Sequence, residues 1–306
     1  MGHGLGVTEF LAGNTPEPVV VLFAVLTQLG GLWFYFVALT VAYSLGERLP
    51  PRPALLDRPR VAYLVALALG AAALTATLKG LVAHPRPPSA TVAVGADLFP
   101  PALRPLYERA ATADGFALPS GHATGATIIY GGAATVVGVG TRRQRYGAAA
   151  LVVGIVALSR VVLGVHYLGD VLAGIVVGTG YLLVAHTVSM RGSAPARAFS
   201  LAGALAATAV LVEGFGPEPA TVLGAALGAR LVWGVVGGEV RALEPSRRVG
   251  TVTLALALPV FGGLFGATYA LEPAAPLALL GGAVSVGGIL VAPLVGERVV
   301  GTGAPV

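Results

Sequence analysis

The chain has 306 residues, of which 56% are hydrophobic and only 11% are charged, and its mean hydropathy is +0.83. Soluble domains carry about 25% charged residues, so this chain has too few to cover a polar surface of its size. An ordinary soluble protein is excluded, and an integral membrane protein is predicted. The absence of cysteine excludes disulfides and a thiol nucleophile. The pI is near 9.8, but the arginines lie in short clusters between apolar runs, which favours membrane topology over nucleic-acid binding.

Apolar runs recur along the whole chain, and a transmembrane helix needs about 20 such residues. Nine spans are predicted, at 18–45, 61–83, 120–140, 147–164, 167–189, 199–214, 219–236, 250–270 and 275–296. Long continuous runs rich in Ala, Gly and Val favour packed helices over a β-barrel, whose strands alternate in polarity. The expected fold is all-α, a polytopic transmembrane helical bundle. We expect a five-span core at 17–189 and a four-span C-terminal extension at 199–296, whose role the sequence does not indicate.

The distribution of basic residues predicts the orientation, because cytoplasmic loops are enriched in Lys and Arg. With the N-terminus outside, 13 of the 19 basic residues fall on the inner side: Arg48, Arg52, Arg58, Arg60, Arg142, Arg143, Arg145, Arg191, Arg197, Arg241, Arg247, Arg248 and Arg298. We therefore expect a protein of the cell membrane with a cytoplasmic C-terminus. The first 47 residues contain no Lys or Arg, so the first span is expected to stay as an anchor instead of acting as a cleaved signal peptide.

A long loop at 84–118 carries six prolines and falls on the outer side. Loops of this length are commonly lids, binding loops or disordered segments. Polar residues cluster at this loop and at two other places on the same side, and ionisable groups at such positions in a membrane protein indicate function. The three segments are Lys79 to Pro87, Pro119 to His122, and Ser159 to Asp170.

Read chemically, the three segments assemble a site for an anion. Lys79, Arg86 and Arg160 supply positive charge, and the two guanidinium groups suit bidentate binding of phosphate. Ser120 and Gly121 add donors at the start of the third span, where the helix end is positive. His122 and His166 are candidates for acid–base or nucleophilic roles. Asp170 follows His166 by four residues, so on a helix both would share one face, and the carboxylate would orient the imidazole.

These segments resemble the signature of the type 2 phosphatidic acid phosphatase superfamily, which includes membrane lipid phosphatases and the vanadium haloperoxidases. Its pattern is Lys, six residues and Arg-Pro; then Pro-Ser-Gly-His; then Ser-Arg, five residues, His, three residues and Asp. The chain matches every named position at the family's spacing. Three matches in order are specific, whereas any one alone would be weak. The resemblance covers roughly 17–189, and it leaves the extension outside the family's usual core.

The resemblance implies a role for each matching residue. His166 would attack the substrate phosphorus and become a phosphohistidine, Asp170 would orient it, and His122 would protonate the leaving oxygen and then activate water. The remaining matches would bind the phosphoryl oxygens: Lys79, Arg86, Ser120, Gly121 and Arg160. No metal or other cofactor is implied, and the sequence offers no carboxylate cluster to hold magnesium. His84 matches no named position and is expected to be a solvated loop residue.

The predicted function is a metal-independent membrane phosphatase that hydrolyses a lipid phosphomonoester or a polyprenyl pyrophosphate at the outer face of the membrane. The expected partners are that substrate and membrane lipids, and no nucleic acid. A phosphotransferase that uses the same intermediate is the close alternative. A transporter with an anion-binding site is an alternative of another class. A haloperoxidase is disfavoured, because those proteins are soluble and this chain is mostly membrane.

Overall fold

The computed structural model describes residues 6–45 and 56–302. Arg48 and Arg52, which belong to the predicted inner loops, lie outside the described residues. The described α-helices are α1 Val7–Asn14, α2 Glu17–Leu26, α3 Leu32–Leu45, α4 Arg58–Val82, α5 Arg104–Ala111, α6 Gly121–Val136, α7 Arg142–Val162, α8 Leu168–Val188, α9 Pro195–Glu213, α10 Pro217–Ala242, α11 Arg247–Leu256, α12 Gly263–Leu271 and α13 Ala275–Thr302. No strand occurs in this part of the chain, so the all-α prediction is confirmed for it.

Seven helices in the described ranges are long and apolar enough to cross a membrane, or eight if the bent pair at the N-terminus counts as one span. The seven correspond to α4, α7, α8, α9, α10, the continuous stretch from α11 to α12, and α13. The predicted number of nine is not confirmed. The two remaining predicted spans, 18–45 and 120–140, fall on shorter helices.

The predicted span 18–45 is interrupted. Helix α2 ends at Leu26, a 3₁₀ turn covers Thr27–Gly30, and α3 begins at Leu32 after the extended residue Gly31. With ten and 14 residues, neither helix reaches the roughly 30 Å of a hydrocarbon core at 1.5 Å per residue. The preceding helix α1 is bent by 117° relative to Glu17–Gly30. Apolar composition predicted membrane burial here, but the Gly30–Gly31 pair breaks the helix.

The predicted span 120–140 is a helix of 16 residues, α6. It packs tightly against α8 through two glycines, as the spacing of Gly174 and Gly178 predicts for a packing face within the bundle. A Cβ atom at Gly174 would lie 2.9 Å from the carbonyl oxygen of Ser120, and one at Gly178 would lie 2.9 Å from that of Thr124. The close approach brings the N-terminus of α6 beside the N-terminus of α8.

The C-terminal extension shares one hydrophobic core with the preceding helices. Phe199 and Trp233 of the extension lie in the same buried cluster as Tyr63 of α4. Tyr43 at the end of α3 donates a hydrogen bond of 2.8 Å to the carbonyl oxygen of Leu290 in α13. The predicted ranges 17–189 and 199–296 therefore pack against each other around a shared core.

The long loop at 84–118 is folded and covers the site end of the bundle. It contains two 3₁₀ turns, Pro88–Thr91 and Ala96–Leu98, and helix α5. Ala90 and Tyr107 of the loop pack against Val20 of α2 and Val165 in a small second core. The prediction of a lid or binding loop is thereby refined: the segment is a packed cover with its own helices.

Successive long helices alternate in direction, so the site lies at one end of the bundle and the starts of α4 and α7 lie at the other. Lys79 and Arg160 lie in the last turns of α4 and α7. Arg58 and Arg142 begin the same two helices at the opposite end.

Candidate active site

His166 lies in the short turn between α7 and α8. Helix α7 ends at Val162, and Gly164 turns the chain with a φ of 66°. The amide of His166 then donates to the carbonyl oxygen of Arg160 at 3.3 Å. A Cβ atom at Gly164 would lie 2.6 Å from Ser89 Oγ, so both the backbone conformation and the space require glycine there. The turn buries His166, which is 2% exposed.

Asp170 lies beside His166, but not for the predicted reason. The spacing of four residues suggested one helix face, whereas His166 precedes α8 and only Asp170 lies in its first turn. The contact forms because the Asp170 carboxylate caps the helix: its Oδ2 accepts a 2.8 Å hydrogen bond from the amide of Tyr167. The same oxygen lies 3.5 Å from His166 Nδ1. A capping interaction therefore fixes the carboxylate that faces the imidazole.

Arg86 contacts the other ring nitrogen of His166. Its Nη1 lies 3.0 Å from His166 Nε2 and also donates to the carbonyl oxygen of Val165 at 2.8 Å. Its Nε donates to the carbonyl oxygen of Asp114 at 2.7 Å. A guanidinium can only donate, so Nε2 is the acceptor and the ring proton is on Nδ1, toward Asp170. The imidazole is thus neutral, with its lone pair on the side of the positive charges.

The remaining predicted cations surround the same imidazole. Burial lowers the pKa of His166 well below its usual range, and the positive charges of Arg160 and Arg86, then that of Lys79, lower it further. Arg160 is itself buried, at 3% exposure, and its Nη1 donates to Thr27 Oγ1 at 3.0 Å. Three basic residues near a neutral imidazole form a site that favours an anion.

The Pro-Ser-Gly-His segment places its residues at the start of α6. The amide of Ser120 donates to the carbonyl oxygen of Asp170 at 3.0 Å, which joins the starts of α6 and α8. Ser120 Oγ is buried and has no hydrogen-bond partner within the described part of the chain. Gly121 is the first residue of α6, where backbone N–H groups are free for an anion. His122 follows and lines, with Arg160, a cavity of about 520 Å³.

The structure brings all eight predicted site residues to one end of the bundle, but their chemical roles remain predictions. His84 differs from its prediction as a solvated residue. It is half-buried, its Nδ1 lies 3.8 Å from Asp170 Oδ1, and its ring meets Tyr167 edge-on at 6.0 Å. Asp170 therefore lies between two imidazoles.

Thr27 was missed as a site residue, because it falls within the apolar run assigned to the first span. Its neighbour Gln28 gave the available signal, since two consecutive polar residues interrupt an otherwise apolar stretch. The break in that run places Thr27 under Arg160. The buried threonine supplies an acceptor that an arginine in this position needs.

The fold and the site define a class: a polytopic helical protein with a candidate anion site built around a histidine, a carboxylate and three basic residues. Within this chain, residues 60–193 match the model of the PAP2 superfamily. This segment belongs to the PAP2 superfamily, so the resemblance predicted from the three motifs is confirmed for it. Members of that superfamily are phosphatases and phosphoesterases, which indicates phosphatase activity on phosphate esters. No curated protein and no solved structure matches the chain.

Proposed function

We propose that the protein is a membrane lipid phosphatase that hydrolyses a lipid phosphomonoester or a polyprenyl pyrophosphate through a phosphohistidine at His166. The observation that carries the proposal is the pair of contacts on that imidazole, with Asp170 at Nδ1 and Arg86 at Nε2. This arrangement favours the neutral tautomer whose Nε2 lone pair faces the cations. It is the ordering that a nitrogen nucleophile requires.

The reaction has two steps. A phosphoryl group binds between Arg86, Arg160 and Lys79, and the guanidinium of Arg86 exchanges its contact with Nε2 for the phosphoryl oxygens. Nε2 then forms a bond to phosphorus while the bond to the leaving oxygen breaks, and His122, in its protonated form, donates a proton to that oxygen. In the second step His122 takes a proton from water, the water oxygen attacks phosphorus, and the N–P bond breaks to release inorganic phosphate.

The basic residues and the start of α6 stabilise the charge on the phosphoryl oxygens in both steps. Preorganised donors of this kind are often the largest contribution to catalysis. Ser120 Oγ, which is buried without a partner among the described residues, is suited to donate to one of these oxygens. Gly121 adds a backbone N–H at the same helix start.

The substrate is amphiphilic because the site lies at the end of a bundle of apolar helices. A headgroup can reach the basic residues there while its hydrocarbon tail stays in the lipid. The arginine-rich ends of α4 and α7 lie on the opposite side, and the positive-inside rule assigns that side to the cytoplasm. We therefore assign the active site to the outer face of the cell membrane, with the C-terminus cytoplasmic.

A phosphotransferase is the second candidate, because an alcohol can replace water in the second step on the same residues. A transporter would use the three basic residues for anion recognition, but it gives no use for a neutral imidazole held between Asp170 and Arg86. Product analysis with an added alcohol distinguishes the phosphatase from the phosphotransferase. Flux without phosphate release would support the transporter.

The test is phosphate release by the purified protein in liposomes, with phosphatidic acid, lysophosphatidic acid and short and long prenyl pyrophosphates as substrates. His166→Ala is the matched variant, and thermal unfolding verifies that it folds. We expect release by the wild type that is lost in His166→Ala, inhibited by vanadate and retained in EDTA. Release that persists in the folded variant would exclude His166 as the nucleophile, and strong sensitivity to EDTA would indicate a metal-dependent mechanism.

A further inference from the structure

The cavity beside His122 and Arg160 is not enclosed by the family segment alone. One wall comes from the start of α3, with Trp33 and Phe36, and another from the loop helix α5, with Arg109. A further wall comes from the C-terminal extension, where Gly262, Phe265, Gly266 and Tyr269 line the same space. The extension, which lies outside the family match at 60–193, therefore helps to form the candidate active-site cavity.

The lining of the cavity changes from polar to apolar. Its polar part contains His122 and Arg160, which belong to the phosphate site. Its apolar part is formed by Trp33, Phe36 and Phe265, and the last two rings stack at 4.5 Å across the boundary between α3 and α12. Such a cavity matches a ligand with an anionic head and a hydrocarbon tail.

Two further features place the apolar part at the lipid boundary. Trp33 and Tyr269 line the cavity and are 57% and 52% exposed. Aromatic side chains of this kind are enriched where a membrane protein meets the interface. The span from α11 to α12 also contains a π-helical turn at Ala257–Gly262, an irregularity that is frequent at functional sites. That turn ends at Gly262, which lines the cavity.

We propose that the cavity between α3 and α12 binds the first part of the hydrocarbon tail of the substrate, so that the C-terminal extension determines which lipid phosphates are accepted. The inference rests on the proposed function for the identity of the headgroup. Its own basis is the continuity of the apolar walls with the phosphate site. The occupant is a single acyl or prenyl chain attached to a phosphate, and bulk membrane lipid is the alternative that the test must exclude.

Two glycines on α12 provide a matched pair of variants. A Cβ atom at Gly266 would meet nothing within 4 Å, and Gly266 lines the cavity. A Cβ atom at Gly263 would also meet nothing within 4 Å, but Gly263 is not among the residues that line the cavity. Leucine at either position favours the helix over glycine, so both variants are expected to fold. Only Gly266→Leu places a side chain in the space proposed for the tail.

We expect Gly266→Leu to lower kcat/KM for a long-chain lipid phosphate by about tenfold or more, because the tail loses several buried methylenes. With p-nitrophenyl phosphate, which has no lipid tail, the same variant should stay within about twofold of the wild type. Gly263→Leu should leave both values unchanged. Equal losses on the two substrates in Gly266→Leu, or no loss on either, would overturn the proposal.

A second measurement does not depend on turnover. A phosphatidic acid analogue with a photoactivatable group in its acyl chain is cross-linked to the full-length protein in liposomes, and the labelled peptide is identified. We expect label on α12 that unlabelled phosphatidic acid displaces and phosphatidylcholine does not. Displacement by both lipids, or label elsewhere, would overturn the tail site. Specific label on α12 together with no phosphate release from any substrate would contradict the phosphatase alone.

Discussion

At the scale of residues, the site depends on how one imidazole is held. Asp170 faces Nδ1 of His166 at 3.5 Å and Arg86 faces Nε2 at 3.0 Å. Because an arginine donates and a carboxylate accepts, the two neighbours select one neutral tautomer. The two ring nitrogens of His166 are therefore distinguished by the charge of their neighbours before any ligand binds.

The lowered pKa of His166 predicts an acid-tolerant enzyme. An unperturbed histidine is half-protonated at about pH 6.5, but burial and the neighbouring positive charges lower the pKa of this one well below that value. Its neutral form should therefore persist as the pH falls from about 8 to about 6. The measurement is the pH profile of kcat/KM, which reports groups of the free enzyme.

Arg86→Gln removes one of the positive charges that lower this pKa. The residual activity of that variant should decline at a higher pH than that of the wild type. A wild-type profile that loses activity with an apparent pKa at or above about 6.5, and does not move in Arg86→Gln, would contradict the electrostatic account.

His84 provides a second prediction at this scale. Its Nδ1 lies 3.8 Å from Asp170 Oδ1, on the oxygen that does not face His166. We expect His84→Asn to lower kcat by about ten- to hundredfold. Losses of this size are found when a residue that orients a metal ligand is removed, and His84 would orient the Asp170 carboxylate in a similar way. Asp170→Asn should lower kcat further, because it removes the carboxylate that faces the proposed nucleophile, His166. Equal losses in the two variants, measured as phosphate release, would mean that His84 takes part in the reaction.

At the scale of elements, the three motifs predicted which residues lie together in the site. The positions at which the helices begin and end determine how these residues contact one another. The Pro-Ser-Gly-His segment starts a helix as expected, since the motif and an apolar run adjoin in the sequence. The pairing of His166 with Asp170 was predicted on a shared helix face, but α7 ends at Val162 and the turn at Gly164 places His166 outside both helices. The spacing of His166 and Asp170 in the sequence predicted that they meet. The geometry of the turn was not predictable from that spacing, because it depends on the packing of Ser89 against Gly164.

The interruption of the first apolar run was not predictable from hydropathy, because Thr27 and Gln28 are too few to change its average. Its consequence is the hydrogen bond from Arg160 to Thr27. Thr27→Val keeps the shape and removes the acceptor, and a hydrogen bond to a charged group contributes about 1.5–3 kcal/mol. We expect kcat/KM to fall about tenfold or more.

The control for this variant is Thr40→Val. Thr40 is also buried, but its hydroxyl bonds to the carbonyl oxygen of Phe36 within its own helix. Both variants should remain folded, as measured by thermal unfolding, and only Thr27→Val should lose activity. Equal activity of the two variants in the phosphate-release assay would show that the Thr27 contact does not position Arg160.

At the scale of the whole molecule, seven of the nine spans predicted from hydropathy correspond to helices that are long and apolar enough to cross a membrane. Hydropathy could not predict how the C-terminal extension packs against the core. That packing depends on contacts such as the one between Tyr43 and Leu290, which are 247 residues apart in the sequence. The shared cavity between α3 and α12 follows from this packing. The sequence alone therefore left the extension without a role.

The assigned orientation is open to a direct test, because the chain contains no cysteine. Pro100→Cys lies in the loop that covers the site, and Gln144→Cys lies in the first turn of α7 at the opposite end. In intact cells or sealed vesicles of known sidedness, an impermeant maleimide should label the first variant from outside and the second only after permeabilisation. The reverse pattern would place the active site in the cytoplasm.

The central claim is that phosphate passes through His166. Rapid mixing of the protein with a lipid phosphate that carries radioactive phosphorus, followed by an alkaline quench, would trap the intermediate. We expect label on the peptide that contains His166, stable to alkali and lost in acid, and no label in His166→Ala. Turnover by the wild type with no such label, or with label on another residue, would contradict it.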